Sequence, residues 1–206
     1  MTDITKTILA FYEQIEDFPN HRYKSWEHCY QYFCSKYPDP NLATLHLAFY
    51  LASWGMYRPS GFLLDWDYTI HRPVVDRLLN SRGALQGIGL SQIEKEINTI
   101  FDLMAWVSEQ YEEVPTTTLV TKILLGTLAC VPAYDQYFIR GLRLNGLPYS
   151  GLKKSNFGKL LSFVKKPKTL AQFEKAQGQI EKIGGVRYPI MKLVDMYFWE
   201  LGVEDS

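Results

Sequence analysis

No stretch of this 206-residue chain supplies the roughly 18 consecutive apolar residues that a membrane-spanning helix needs. The most apolar run, Leu42 to Leu64, is broken by His46, Arg58, Pro59 and Ser60. The beginning of the chain carries Asp3 and Lys6 within a helical period, which is not the pattern of a signal peptide. A soluble, cytoplasmic protein with no membrane partner is expected. Cysteine is scarce: Cys29, Cys34 and Cys130 are odd in number and lack zinc-type spacing, so reduced thiols and no metal centre are expected. There is no phosphate-binding Walker loop, no G-x-S-x-G elbow, no H-E-x-x-H and no dinucleotide fingerprint, so no cofactor is expected. No run of apolar residues alternates with period two, which leaves β-structure without a signal.

What is present is a succession of helical patterns. Hydrophobic residues form 47% of the chain and charged residues 21%, enough apolar surface to fold one large domain rather than remain disordered. Ile4, Ile8, Phe11, Ile15 and Phe18 recur at spacings of four and three, predicting a helix over 3–18 that Pro19-Asn20 ends. Trp26, Tyr30, Phe33 and Tyr37 predict a second over 25–37. Asn41 is placed to cap a third, apolar on most faces through Trp54, and this is expected to be the central buried helix. A break at 55–61 precedes a helix over 72–80 with Pro73 in its first turn. Ser81 to Leu90, with three glycines, reads as a loop. Ser91 and Glu94 form a capping box for a helix carrying Ile93, Ile97, Ile100, Met104 and Val107. Further helices are expected from Pro115 to Ala129, from Pro132 to Asn145, from Ser155 to Lys166, from a Thr169/Gln172 capping box to Gly184, and from Pro189 to Gly202. The fold class is therefore all-α, a single domain over 1–206 with about ten helices.

Charge is unevenly spread in a chain whose formal net charge is zero. Residues 150–192 hold ten basic residues against two acidic ones, a balance of +8, and the rest of the chain, the acidic body 1–149 included, sums to −8. Lys153, Lys154, Lys165 and Lys166 in this basic part are candidate contacts to nucleic acid or another phosphorylated ligand. A solvated lysine-rich hairpin would show the same composition.

The segment Val131-Pro-Ala-Tyr-Asp135-Gln-Tyr-Phe-Ile-Arg140 sets an aspartate at a helix start with an arginine five residues on. An apolar helix led by Val114-Pro115 precedes it. Over 114–146 the chain resembles the helix-hairpin-helix DNA glycosylases, in which such an aspartate steadies the positive charge that develops on a sugar losing its base. The resemblance implies an all-α fold, a catalytic role for Asp135 and a phosphate-proximal or helix-stabilising role for Arg140. The hairpin glycines are absent, since Pro115-Thr116-Thr117-Thr118 stands in their place. No lysine sits at the place that a bifunctional member would require, although Lys122 is near. Asp135 also fits a purely structural role, complementing the dipole at a helix N-terminus.

Two further groups carry chemistry. Arg58 and Ser60, in the turn Arg58-Pro59-Ser60-Gly61, could bind an anion, or Arg58 could pair with Asp65 or Asp67 while Ser60 caps. Polar residues inside apolar stretches form the second group: Glu27, His28, His46, Tyr134, Lys192 and Asp195. Lys192 and Asp195, three apart on one helix, can pair. His46 with Arg58 or Glu27 would suit a small-molecule enzyme. The leading reading is a nucleic-acid- or phosphate-binding helical protein like a DNA glycosylase, catalytically active or not. The alternative is a helical interaction or apolar-ligand-binding protein that forms homo-oligomers through an aromatic face of Trp26, Tyr30 and Tyr37.

Overall fold

A computed structural model describes residues 3–18, 20–147 and 149–205, so the Pro19 part of the expected stop after the first helix lies outside the described residues. Eleven α-helices and no strand occur among those residues. They are α1 (Ile4–Glu16), α2 (Lys24–Cys34), α3 (Pro40–Ser53), α4 (Arg72–Leu85), α5 (Leu90–Lys95), α6 (Ile97–Ser108), α7 (Thr117–Thr127), α8 (Gln136–Leu144), α9 (Lys154–Val164), α10 (Pro167–Gly184) and α11 (Ile190–Glu204). Two 3-10 turns, Phe62–Asp65 and Tyr68–His71, lead into α4. The all-α expectation holds. Among the described residues no helix is long and apolar enough to cross a membrane.

Side-chain caps set several helix starts. Asp3, Asp39, Thr116 and Asp135 each accept a bond from a first-turn amide of α1, α3, α7 and α8. Such a cap contributes about 1 kcal/mol by satisfying a donor the helix itself leaves open. Other starts differ from expectation. Asp39 rather than Asn41 caps α3, because Pro40 fits the first helical position without needing an amide partner. Gly89 rather than Ser91 precedes α5, and the Gln92 side chain reaches back to the Gly89 amide. The expected loop over 81–90 is helical as far as Leu85, with Gly83 inside α4. Pro132 lies in a buried turn before α8, Lys153 rather than Ser155 precedes α9, and Thr169 is already inside α10, where Gln172 accepts from the Ile4 amide instead of capping.

One cluster of buried residues draws on all eleven helices. The α1 stripe Ile4, Ile8, Phe11 and Ile15 lies in it, while Phe18 is exposed beyond the helix end. The expected buried axis, α3, buries Ala43, Leu47, Tyr50 and Leu51 but exposes Leu42, Leu45 and Phe49. That central place belongs to α11, buried without interruption from Met191 to Phe198. Trp26 and Tyr30 are also buried, so the expected aromatic face on α2 is reduced to Tyr37, which lies past the helix end.

Helices α8 and α11 pack backbone to backbone along a seam set by two glycines. A Cβ on Gly141 would collide with the Phe198 carbonyl, and one on Gly202 with the Tyr137 carbonyl. Gly202, expected to close the last helix, sits inside it for this reason. Arg140 ties the same seam by donating to the Gly202 carbonyl at 3.3 Å.

Candidate functional site

Four ionisable side chains meet in the interior between α7, α8 and α11. Lys122 projects from the apolar α7, and its Nζ lies 3.2 Å from Asp135 Oδ2. Asp135 divides its oxygens: Oδ1 accepts from the Phe138 amide as the α8 cap, and Oδ2 takes the lysine. The structural role expected at the helix start is therefore present, and a second one beside it. On α11, Lys192 Nζ lies 3.3 Å from Asp195 Oδ2, the pairing that their spacing predicts. Asp195 Oδ1 accepts from the Ala133 amide at 2.9 Å, which fixes the turn leading to Asp135.

Aromatic rings enclose these charges. Lys122 Nζ stands 4.8 Å from the Trp54 ring centre, and Lys192 Nζ stands 5.1, 5.3 and 5.8 Å from those of Trp26, Trp54 and Phe11. The negative ring faces attract the ammonium groups in this largely buried setting. Burial pushes the Lys192 amine down from its usual range, while Asp195 opposes that shift. Burial likewise pushes the Asp195 carboxyl up, against the pull of Lys192. Of the four side chains Asp135 is the most open, 14% exposed against 4% for Lys122, 3% for Lys192 and 6% for Asp195. The indole nitrogen of Trp54 is buried with no hydrogen-bond partner among the described residues.

Arg58 and Ser60 are exposed and line a groove of about 160 Å³ with Thr116, the cap of α7, and with Glu113. The structure thus brings the Arg58 turn to the start of the helix that carries Lys122. Arg58 makes no ion pair with Asp65 or Asp67, and Asp67 is committed to the Thr69 amide and hydroxyl. The lysines of the basic segment lie elsewhere. Lys154 donates to Asn98 of α6, Lys165 pairs with Glu94 of α5 at 2.6 Å, Lys166 stands over Phe163, and Lys153 is exposed before α9.

The other polar residues go to separate partners. His46 stacks on Tyr32, its ring centre 4.4 Å away, and burial and then His28 hold its pKa below the usual range. Glu27 accepts from the Tyr188 hydroxyl at 2.7 Å. No group of three or more metal-ligating side chains occurs among the described residues. His71, which the sequence offers with His46 as a partner for Glu27-His28 in a metal site, is fully buried between two hydroxyls: Nε2 lies 3.0 Å from Tyr57 and Nδ1 2.8 Å from Tyr111. Burial lowers its pKa to about 4, so it stays neutral, one nitrogen donating and the other accepting.

Comparison with known protein families, with curated proteins and with solved structures finds no match to this chain.

Proposed function

We propose that the protein binds nucleic acid and that Lys122 with Asp135 forms its chemical centre. The observation that carries this reading is the 3.2 Å approach of an amine on α7 to the carboxylate that caps α8. The resemblance over 114–146 gives that carboxylate a sugar to act on, and the groove at the start of α7 supplies Arg58 and Ser60 for a phosphate. An amine beside a carboxylate suits a nucleotide that has lost its base, because its opened sugar presents an aldehyde. Passing the Lys122 proton to Asp135 frees the nitrogen lone pair, the nitrogen adds to the aldehyde carbon, and departure of water leaves an imine. The exposed lysines of α9 add electrostatic attraction that needs no sequence.

The test is borohydride trapping with an oligonucleotide bearing an abasic site, beside binding measurements at low and physiological salt. The wild-type protein is expected to form a covalent adduct that Lys122→Arg abolishes and Asp135→Asn slows by at least tenfold. Binding should weaken steeply with salt. Absence of binding at low salt, or an adduct undiminished in folded Lys122→Arg, would overturn the reading.

A further inference from the structure

A cleft of about 750 Å³ lies where the turn over 86–89 faces α10 and the start of α11. Its volume falls within the range of small-molecule sites. One wall is a single face of α10, Leu170, Glu174 and Gln177, at helical spacings of four and three. The other wall is held rigidly. The Gly87 amide donates to the Leu128 carbonyl at 2.7 Å, and Gly87 has a left-handed φ of 61°, with Tyr30 so close that a Cβ would lie 2.6 Å from its hydroxyl.

Three glutamines line this cleft, and backbone partners fix which way each amide points. Gln86 Nε2 donates to the Thr127 carbonyl and Gln177 Nε2 to the Tyr188 carbonyl. A carbonyl can only accept, so each of these amides keeps its oxygen and one N–H for the cleft. Gln92 Oε1 accepts from the Gly89 amide, which leaves its NH₂. Glu174 makes no ion pair among the described residues, whereas the Arg187 guanidinium at the rim is already held by Glu181 at 2.8 Å. The cleft thus presents two amide oxygens and the exposed Glu174 carboxylate, against the NH₂ of Gln92 and the one N–H left on each of Gln86 and Gln177, beside apolar surface from Ile88, Leu170 and Ile190.

We propose that this cleft binds a small organic cation rich in N–H donors, an amine, amidine or guanidine with a short apolar body. Such a group satisfies the oxygens and the carboxylate together, and the apolar body covers the aliphatic wall. The site is separate from the Lys122–Asp135 pair, and its occupancy does not depend on the nucleic-acid reading.

The experiment uses agmatine and benzamidine as probes, with calorimetry and the alkylation rate of Cys34 as readouts. Cys34 lines the cleft and is exposed, while Cys29 and Cys130 are buried, so ligand protection reports on this site. At least one probe is expected to bind saturably with one site per chain and to slow Cys34 alkylation. Glu174→Gln should weaken it at least tenfold and Glu174→Lys abolish it. Gln92→Glu, which replaces a donor group by an acceptor, should tighten it several-fold, and Lys175→Gln, next to the cleft but not lining it, should leave it unchanged. No saturable binding of either probe up to about 10 mM, equal binding to Glu174→Lys, or binding without protection of Cys34 would each overturn the proposal.

Discussion

The junction of α7, α8 and α11 buries two lysines with two aspartates, whereas the junction before α4 buries a histidine between two tyrosines. Both place titratable groups out of water, and they meet the cost in opposite ways. The first keeps its charges, matching each ammonium with a carboxylate and roofing them with indole and phenyl rings. The second gives up its charge, so only two hydrogen bonds need to be satisfied. An ion pair in the interior has no net charge but leaves a heavy penalty if either member is lost, and a neutral relay is exposed instead to protonation.

The largest effect should come from breaking the charged cluster on one side only. Lys192→Met leaves Asp195 buried without its partner and is expected to cost roughly 3–5 kcal/mol in denaturant unfolding. Combining it with Asp195→Asn, whose oxygen can still accept from the Ala133 amide, should recover most of that loss. A double variant no more stable than the single would mean that the charges themselves, not their pairing, hold this region.

Acid should break the neutral cluster. The folded pKa of His71, about 4, lies below the value of about 6.5 for an unfolded histidine, so the unfolded chain binds the proton first. The contribution is fully present above pH 6.5 and is lost as pH falls through 4. From the two pKa values it amounts to about 3 kcal/mol between those limits. Unfolding free energies measured across that range should slope upward with pH, and His71→Gln should remove that part of the slope. An unchanged slope in the variant would assign the dependence to other groups.

The smallest effect is expected at the surface. Lys165 and Glu94 approach more closely than either buried pair, at 2.6 Å, yet both side chains are 41% exposed. Lys165→Ala should shift stability by less than about 1 kcal/mol, and salt should erase the difference. A loss as large as that from Lys192→Met would contradict the contrast between interior and surface.

Helical periodicity made much of this legible. The α1 stripe and the Lys192–Asp195 pair both follow from residues that share one helix face, and the structure places them as that geometry requires. Contacts across turns left no such trace. Lys122 and Asp135 are 13 residues apart on either side of a buried turn, and His71 meets partners 14 and 40 residues away. The apolar composition of α3 matched that of a buried axis, but composition does not tell which helix neighbours will cover. The flanking helices cover only part of α3, while α11 is enclosed, lysine and aspartate included. The Arg58 turn was visible as a candidate anion site. Its meeting with the start of α7 depends on tertiary packing alone.

The glycine seam between α8 and α11 has a consequence for how the chain can vary. Gly141 and Gly202 each press against a backbone carbonyl of the opposite helix, which unlike a side-chain tip has no rotamer by which to give way. Alanine is the smallest possible addition, yet at either position it would prise the helices apart along their whole line of contact. Gly158 and Gly178, by contrast, face open space on α9 and α10 and can take alanine without displacing a neighbour. The chain is therefore free to drift at some of its helical glycines and locked at these two. Because Asp135 caps one partner of the locked pair and Asp195 sits on the other, the carboxylates that organise the interior inherit that same immobility.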